Sequence, residues 1–305
     1  MKFVVDQAIF EQFPGVKLGV VVGVEVDNSG QKQDIASLLQ KWQEERGKEF
    51  GGVDLASHER VKPWREAYSK FGAKPSKYNS SIEALLRRVS QGGKLSQINP
   101  IVDLYNALSL KHLLPFGAED LDKIKGNIRL AVAKGDERGK YIGGENEEAC
   151  EPGEIAYLDD VGFICRRWNW READRTKLTP KTKNFILVVE ALPPAGETEV
   201  KAAVDDFVVW VKQQLGGAYK TAVVDKHNPS FEFDLASQGV ALRSYRGIAG
   251  EIQKLIKEAL KLLGLPEVEF TVEHPAEEEH GDFATNVAMA LFSSSKYQVL
   301  SIKYK

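Results

Sequence analysis

Cysteine is scarce in this chain: Cys150 and Cys165 are the two in 305 residues, and neither they nor the five histidines fall at a metal-ligand spacing. That excludes a disulfide-stapled scaffold and a zinc finger or ribbon, and it fits a reducing cytoplasm. No apolar run approaches the roughly 20 residues a membrane helix needs. The opening Met1-Lys2-Phe3-Val4-Val5-Asp6 carries no secretory pattern. No Ser-His-Asp set with a nucleophile elbow is present. The expectation is therefore a cytoplasmic protein with no metal, no cofactor and no membrane partner. The net charge of −3 decides nothing about nucleic acid, because it hides a segregated distribution. Bases gather at 74–88 and 166–183, and acids at 145–154 and 267–279, so a local basic face remains available to a polyanion.

What the chain does have is a dense cationic-aromatic stretch, Arg166-Arg167-Trp168-Asn169-Trp170-Arg171. Two tryptophans two positions apart predict an extended strand with both rings on one face. Such a face suits a polyanion or a stacked planar group; the alternative is a half-buried strand with snorkelling arginines.

Periodicity predicts a strand over 16–26 and a helix over 34–48, with Ile35, Leu38, Leu39 and Trp42 on one stripe. A weaker helix follows over 59–71. Ser80 and Glu83 stand at capping-box spacing before a helix that Gly92-Gly93 ends, and Pro100 opens another helix. Strands are predicted over 128–133, 154–158, 161–167 and 185–190, and an amphipathic helix over 200–215. Helices mixed with irregularly spaced strands indicate an α+β fold. Gly216-Gly217 and the polar stretch 225–237 mark a boundary, giving a domain over 1–217, a linker over 218–245 and a small α/β module over 246–305. In that module Ile248, Ile252, Leu255, Ile256, Ala259, Leu260 and Leu263 form a helical stripe, and 268–272 alternates like a strand.

Five ordered blocks carry a family resemblance: Lys74-Pro75 with Ser80 to Arg88, Ile98 to Asn106, Leu114 to Asp120, Pro152-Gly153-Glu154, and Arg167 to Arg171. Together, across about 10–215, they resemble the B3/B4 editing domain of the phenylalanyl-tRNA synthetase β subunit in its freestanding form. That group includes deacylases of mischarged tRNA, among them canavanyl-tRNA(Arg) deacylase. A second resemblance lies in Glu273-His274-Pro275 and Glu279 to Met289, which are similar to the amino-terminal domain of arginyl-tRNA synthetase over about 246–292. The catalytic HIGH and KMSKS signatures of synthetases are absent, so aminoacylation is not expected. The tail 293–305 departs from the family pattern.

The two resemblances jointly imply trans-editing of tRNA(Arg), with transient association with arginyl-tRNA synthetase as a further implied contact. Canavanine is the implied wrong amino acid. It replaces one methylene of arginine by oxygen, a near-isostere that a binding site rejects poorly, so a second hydrolytic sieve is useful. The rivals are a deacylase of another misacyl-tRNA, such as tyrosyl-tRNA(Phe), and a non-catalytic tRNA-binding or synthetase-tethering module.

The residues expected at the reaction are Asp103, Asn106 and Glu172. Asp103 and Asn106 share a helix face, where they either line an aminoacyl pocket or cap a neighbouring loop. Asp103 is the first candidate for the guanidine end and Glu172 the second. Glu83, Asn99, Tyr105, Trp168, Asn169, Trp170 and Asp174 are the expected substrate contacts. Glu83 alternatively completes the capping box, Tyr105 alternatively packs in the core, and Glu172 or Asp174 alternatively pairs with Arg175. Arg87, Arg88, Arg167 and Arg171 are the expected tRNA contacts. His112 stands near the 115–120 block, but Phe116-Gly117 occupies the place of the family's loop histidine.

Overall fold

The computed structural model describes residues 1–273 and 284–293, the side chains of 236–247 excepted. The chain divides into two units, Met1–Gln238 and Gly239–Lys305. The first is built in chain order from β1 (Lys2–Val5), α1 (Gln7–Gln12), β2 (Lys17–Val24), α2 (Gln33–Phe50), α3 (Lys62–Lys70), α4 (Ser81–Ser90) and α5 (Pro100–His112). It continues with β3 (Phe116–Asp120), β4 (Ile128–Val132), β5 (Arg138–Gly139), β6 (Glu148–Ala149), β7 (Ile155–Leu158), β8 (Phe163–Arg166), β9 (Arg171–Glu172) and β10 (Phe185–Ala191). Then come α6 (Glu197–Leu215), β11 (Ala218–Val224), β12 (Ser230–Glu232) and the start of α7 (Leu235–Leu262).

Two sheets organise this unit. The larger has the order β12-β1-β4-β7-β8-β9, and the smaller is antiparallel in the order β11-β2-β10-β3. The mixed architecture is the α+β class read from the pattern. The run Val20-Val21-Val22 in β2 is buried on both faces, so it reads as continuous rather than alternating. Gly19 lets α6 approach β2 closely: a Cβ there would sit 2.5 Å from Val204 and 2.6 Å from Val200.

The helix starts follow their caps. Ser80 Oγ accepts from Glu83 N at 3.4 Å, and Asn99 Oδ1 accepts from Val102 N at 3.2 Å ahead of Pro100. Lys111 and His112, in the last turn of α5, bind Asp206 of α6 at 2.5 and 2.8 Å.

The expected linker over 218–245 is corrected. Residues 218–224 pair with β2, residues 230–232 pair with β1, and the unit boundary falls after Gln238. The polar stretch misled because it is a turn. Asp225 accepts from the backbone N–H groups of His227 and Asn228 at 2.8 and 2.9 Å and bonds Lys17 at 2.5 Å.

The second unit holds the remainder of α7, an antiparallel pair β13 (Val272–Glu273) and β14 (Ala284–Thr285), and α8 (Val287–Ser293). The strand expected over 268–272 begins only at Val272. Leu260 of the helical stripe is buried, as is Phe270, whereas Ile248, Leu255 and Leu263 are exposed. The expectations placed on His274, Pro275 and 279–283, and on the tail after Ser293, lie outside the described residues.

Candidate active site

The cationic-aromatic stretch is not one strand but a hairpin. Arg166 pairs with Arg171 and Cys165 with Glu172, and residues 167–170 form the turn between them. Arg167 and Trp168 take φ of 46° and 63°, the left-handed region that side chains normally avoid. Packing and one carboxylate hold them there. Glu154 accepts from Arg166 at 2.7 and 3.0 Å and from the backbone N–H of Arg167 at 3.3 Å. Against burial, the Arg166 bonds, the Glu151 backbone N–H and the charges of Arg166 and Arg167 hold the Glu154 carboxyl below its ordinary value.

The two tryptophans therefore diverge. Trp168 is fully buried, edge-on to Phe13 and Trp64 at 5.0 and 5.2 Å. Trp170 is half-buried beside Tyr78 and Tyr141, at 4.9 and 5.3 Å. Arg167 is buried, stacked 3.9 Å over Tyr78 and 4.9 Å from Trp170.

This turn walls a cavity of ≈ 510 Å³, a size ordinary for a small-molecule site. Alternation along β10 sends Ile186, Val188 and Glu190 into it, while Leu187 and Val189 pack in the core beneath α5 and α6. From β3 come Phe116, Gly117, Ala118 and Glu119. From α4 come Ser81, Ala84, Leu85 and Arg88, and from α5 Tyr105 and Asn106. Asn169, Trp170, Arg171 and Glu172 complete the wall on the hairpin side.

Three carboxyls reach this cavity. Glu190 is held at both oxygens, by the Tyr157 hydroxyl and the Asn169 amide, and Asn169 Oδ1 in turn accepts from Tyr68 at 2.8 Å. Burial pushes the Glu190 carboxyl up to about 7, against those hydrogen bonds. Glu172 accepts from Ala118 N at 3.2 Å, and burial likewise raises it to about 7. Glu119 lies on β3, in the other sheet, and burial and then the charge of Glu172 push it well above its ordinary value, against the Thr176 hydroxyl. Tyr105 is buried at the cavity wall, its hydroxyl raised by burial and then by Glu172 and Glu119.

Of the expected residues, the structure brings Tyr105, Asn106, Trp168, Asn169, Trp170, Glu172, Arg88 and Arg171 to this cavity. The others serve elsewhere. Asp103 accepts from Ile98 N at 2.8 Å, so it caps the preceding loop instead of lining the cavity. Asn99 caps α5 and bonds Asn28 at 3.0 Å. Glu83 is buried and bound to Arg65 at 2.6 Å and to Arg87 at 2.7 Å, which occupies both it and Arg87. Asp174 pairs with Lys177 at 2.7 Å and Arg175 with Asp159 at 2.8 Å. His112 is committed to Asp206 and stands outside the cavity lining.

Glu119 and Glu190 are cavity residues that the sequence reading missed. A lone carboxylate within the apolar run Phe185–Ala191 was the available signal, because a buried charge in a strand core is costly without a purpose. Among the described residues, no three His, Cys, Asp or Glu side chains converge to hold a metal ion. No described helix is long and apolar enough to cross a membrane.

Comparison with known proteins follows the same division of the chain. Residues 63–203 match the B3/4 domain family, and residues 250–302 match the arginyl tRNA synthetase N terminal domain family. The phenylalanine–tRNA ligase beta subunit of Fusobacterium nucleatum subsp. nucleatum is 30% identical over 142 residues, 47% of this chain and 17% of that protein. The chain thus spans under a fifth of the length of that relative. An N-terminal fragment of the phenylalanyl-tRNA synthetase beta-subunit from Pyrococcus horikoshii aligns over 73% of this chain and 54% of its own, at 12% identity and a TM-score of 0.38. The chain carries a B3/4 domain of the phenylalanyl-tRNA synthetase β-subunit type and, after it, a domain of the arginyl-tRNA synthetase N-terminal type.

Proposed function

We propose that this protein hydrolyses the aminoacyl ester of mischarged tRNA(Arg), with canavanyl-tRNA(Arg) the preferred substrate. The observation that carries the reading is the Glu190 carboxyl, oriented by Tyr157 and Asn169 at the wall of the ≈ 510 Å³ cavity and raised to about 7. A carboxylate tuned near neutrality is suited to take a proton from water and return it. Water attacks the ester carbonyl carbon and gives a proton to Glu190. The bond from that carbon to the ribose oxygen then breaks, and the oxygen receives the proton. The products are the free amino acid and uncharged tRNA. Asn106, at the cavity edge, offers an amide donor to the carbonyl oxygen.

The mouth fits the end of a nucleic acid. Arg88 and Arg171 are exposed there, and the half-buried Trp170 offers a stacking surface for the terminal adenosine. The domain in the second half supports tRNA(Arg) as the partner, and with it a transient meeting with arginyl-tRNA synthetase. The test is release of amino acid from canavanyl-, arginyl-, tyrosyl- and phenylalanyl-tRNA by the full chain. Canavanyl-tRNA(Arg) hydrolysed fastest is the expected result. Fastest release from tyrosyl-tRNA(Phe) would reassign the substrate, and no release from any of the four would refute the enzyme reading.

A further inference from the structure

Glu119 of β3 and Glu172 of β9, on the edge strands of the two different sheets, both line the cavity, apart from the hydrogen-bonded Tyr157–Glu190–Asn169 group. Glu119 is only 7% exposed; the Thr176 hydroxyl beside it favours its charged form, although neither Glu119 Oε2 nor Thr176 Oγ1 has a partner within hydrogen-bond geometry. Glu172 lies against the β3 backbone, its Oε1 3.2 Å from Ala118 N and 3.4 Å from where a Cβ on Gly117 would stand. A side chain at position 117 would crowd that carboxylate. Among the described residues neither glutamate has an ion-pair partner; Arg175, the cation nearest in effect, is held by Asp159 at 2.8 Å. With one neutral hydroxyl beside it and no cation bonded to it, the buried Glu119 carboxylate keeps acceptor capacity that a ligand's donors can fill.

We propose that Glu119 and Glu172 form a guanidinium-binding subsite that takes the side-chain end of the aminoacyl group. The proposal rests on the deacylase reading for its place in a reaction, but not for its chemistry. Two carboxylates reaching in from different strands present the paired acceptors that a forked, planar donor fits. Tyr105 and Phe116 line the same space and offer ring faces on which a guanidinium stacks. A metal ion is the poorer occupant, since no three ligating side chains converge among the described residues.

Proton linkage follows from the surroundings. Around the pair stand Tyr105 of α5, Cys165 of β8, Thr176, Asp159 and Arg175; burial favours both protonated carboxyls, and the charge of Glu172 raises Glu119 further, against the Thr176 hydroxyl. A cation entering between the carboxyls restores their charge, so binding of a permanently charged guanidinium releases a proton. A weakly basic oxyguanidine enters neutral and takes the proton already present. The subsite thereby favours the weaker base of two nearly isosteric ligands.

Calorimetry on the full chain tests this with the methyl esters of canavanine, arginine, lysine and citrulline, in buffers of differing ionisation heat. The guanidino esters should bind, and the neutral citrulline ester should bind at least about tenfold more weakly. Arginine ester should release more protons than canavanine ester. Glu119→Gln and Glu172→Gln should each weaken the guanidino esters by about tenfold and leave the citrulline ester unchanged. Citrulline or lysine ester binding as tightly as the guanidino esters, or Mg²⁺ displacing them, would overturn the proposal, and the ligand series on the unmodified chain decides this even where a variant misfolds. Esters that bind without any hydrolysis of charged tRNA would leave the subsite standing and remove the deacylase reading.

Discussion

Trp168 and Trp170 are two positions apart and do opposite jobs: the first is buried against Phe13 and Trp64, the second stands half-open at the cavity beside Tyr78 and Tyr141. Substitution should separate them. Trp168→Ala should cost about 3–5 kcal/mol of stability, read as a lowered midpoint in urea, because it empties a fully buried site. Trp170→Ala should keep the fold and weaken tRNA binding by about tenfold or more, the worth of one stacked base. Equal tRNA affinity for Trp170→Ala and the unmodified chain would remove the stacking role.

The arginines divide in the same way. Arg88 and Arg171 lie exposed at the cavity, whereas Arg87 is bound to Glu83 and Arg167 is buried over Tyr78. Replacing Arg88 or Arg171 by Ala should reduce the salt slope of tRNA binding by about one phosphate contact each. Arg87→Ala should instead destabilise α4 by leaving Glu83 short of a partner, with the slope intact. A salt titration of the three variants checks the division, and a slope unchanged in all of them would place the tRNA elsewhere.

These distinctions show how far the sequence could be read. The helices at Ser80 and Pro100 were legible because their caps are local chemistry. The hairpin turn at 167–170 was not, since the positive φ falls on Arg167 and Trp168, residue types that do not announce it, while the turn's asparagine, Asn169, stands one position later. Asp103 was misplaced because helical spacing gives a shared face but not where that face looks; its carboxylate turns back to Ile98. Glu119 was invisible as a site residue for a related reason. Its meaning comes from Glu172, which is far away in sequence and comes near only because β3 and β9, edge strands of two different sheets, line the same cavity.

Truncation tests the revised boundary. A fragment of residues 1–217 lacks β11 and β12, which close the edges of both sheets and cover β2 and β1. It should aggregate or melt well below a 1–238 fragment, because stripping β11 exposes the long apolar edge of β2. The 1–238 fragment should retain deacylation, since every cavity residue lies within it. Equal thermal midpoints for the two fragments would return residues 218–238 to the status of linker.

Stability and activity should run in opposite directions with pH, because both depend on raised carboxyls. Glu190 is 2% exposed, and its carboxyl sits at about 7 against an ordinary 4.5. The folded state therefore holds its proton more tightly than the unfolded state does. Between those two values the native protein binds more protons, so stability falls as pH rises through the window and the full cost is present above it. For Glu190 that cost is on the order of 3 kcal/mol. Glu172 acts with the same sign. Thermal midpoints should accordingly be highest near the lower end of the window and decline toward pH 8. Deacylation should rise over the same range as Glu190 ionises, about tenfold per pH unit well below 7 and levelling above it. Glu172→Gln should flatten part of the stability decline and leave the kinetic midpoint where it was, whereas Glu190→Gln should abolish the rising limb. A rate profile that is flat between pH 5.5 and 8 after subtraction of uncatalysed hydrolysis, or melting points that climb with pH, would show that these carboxyls do not titrate near 7 in the folded protein.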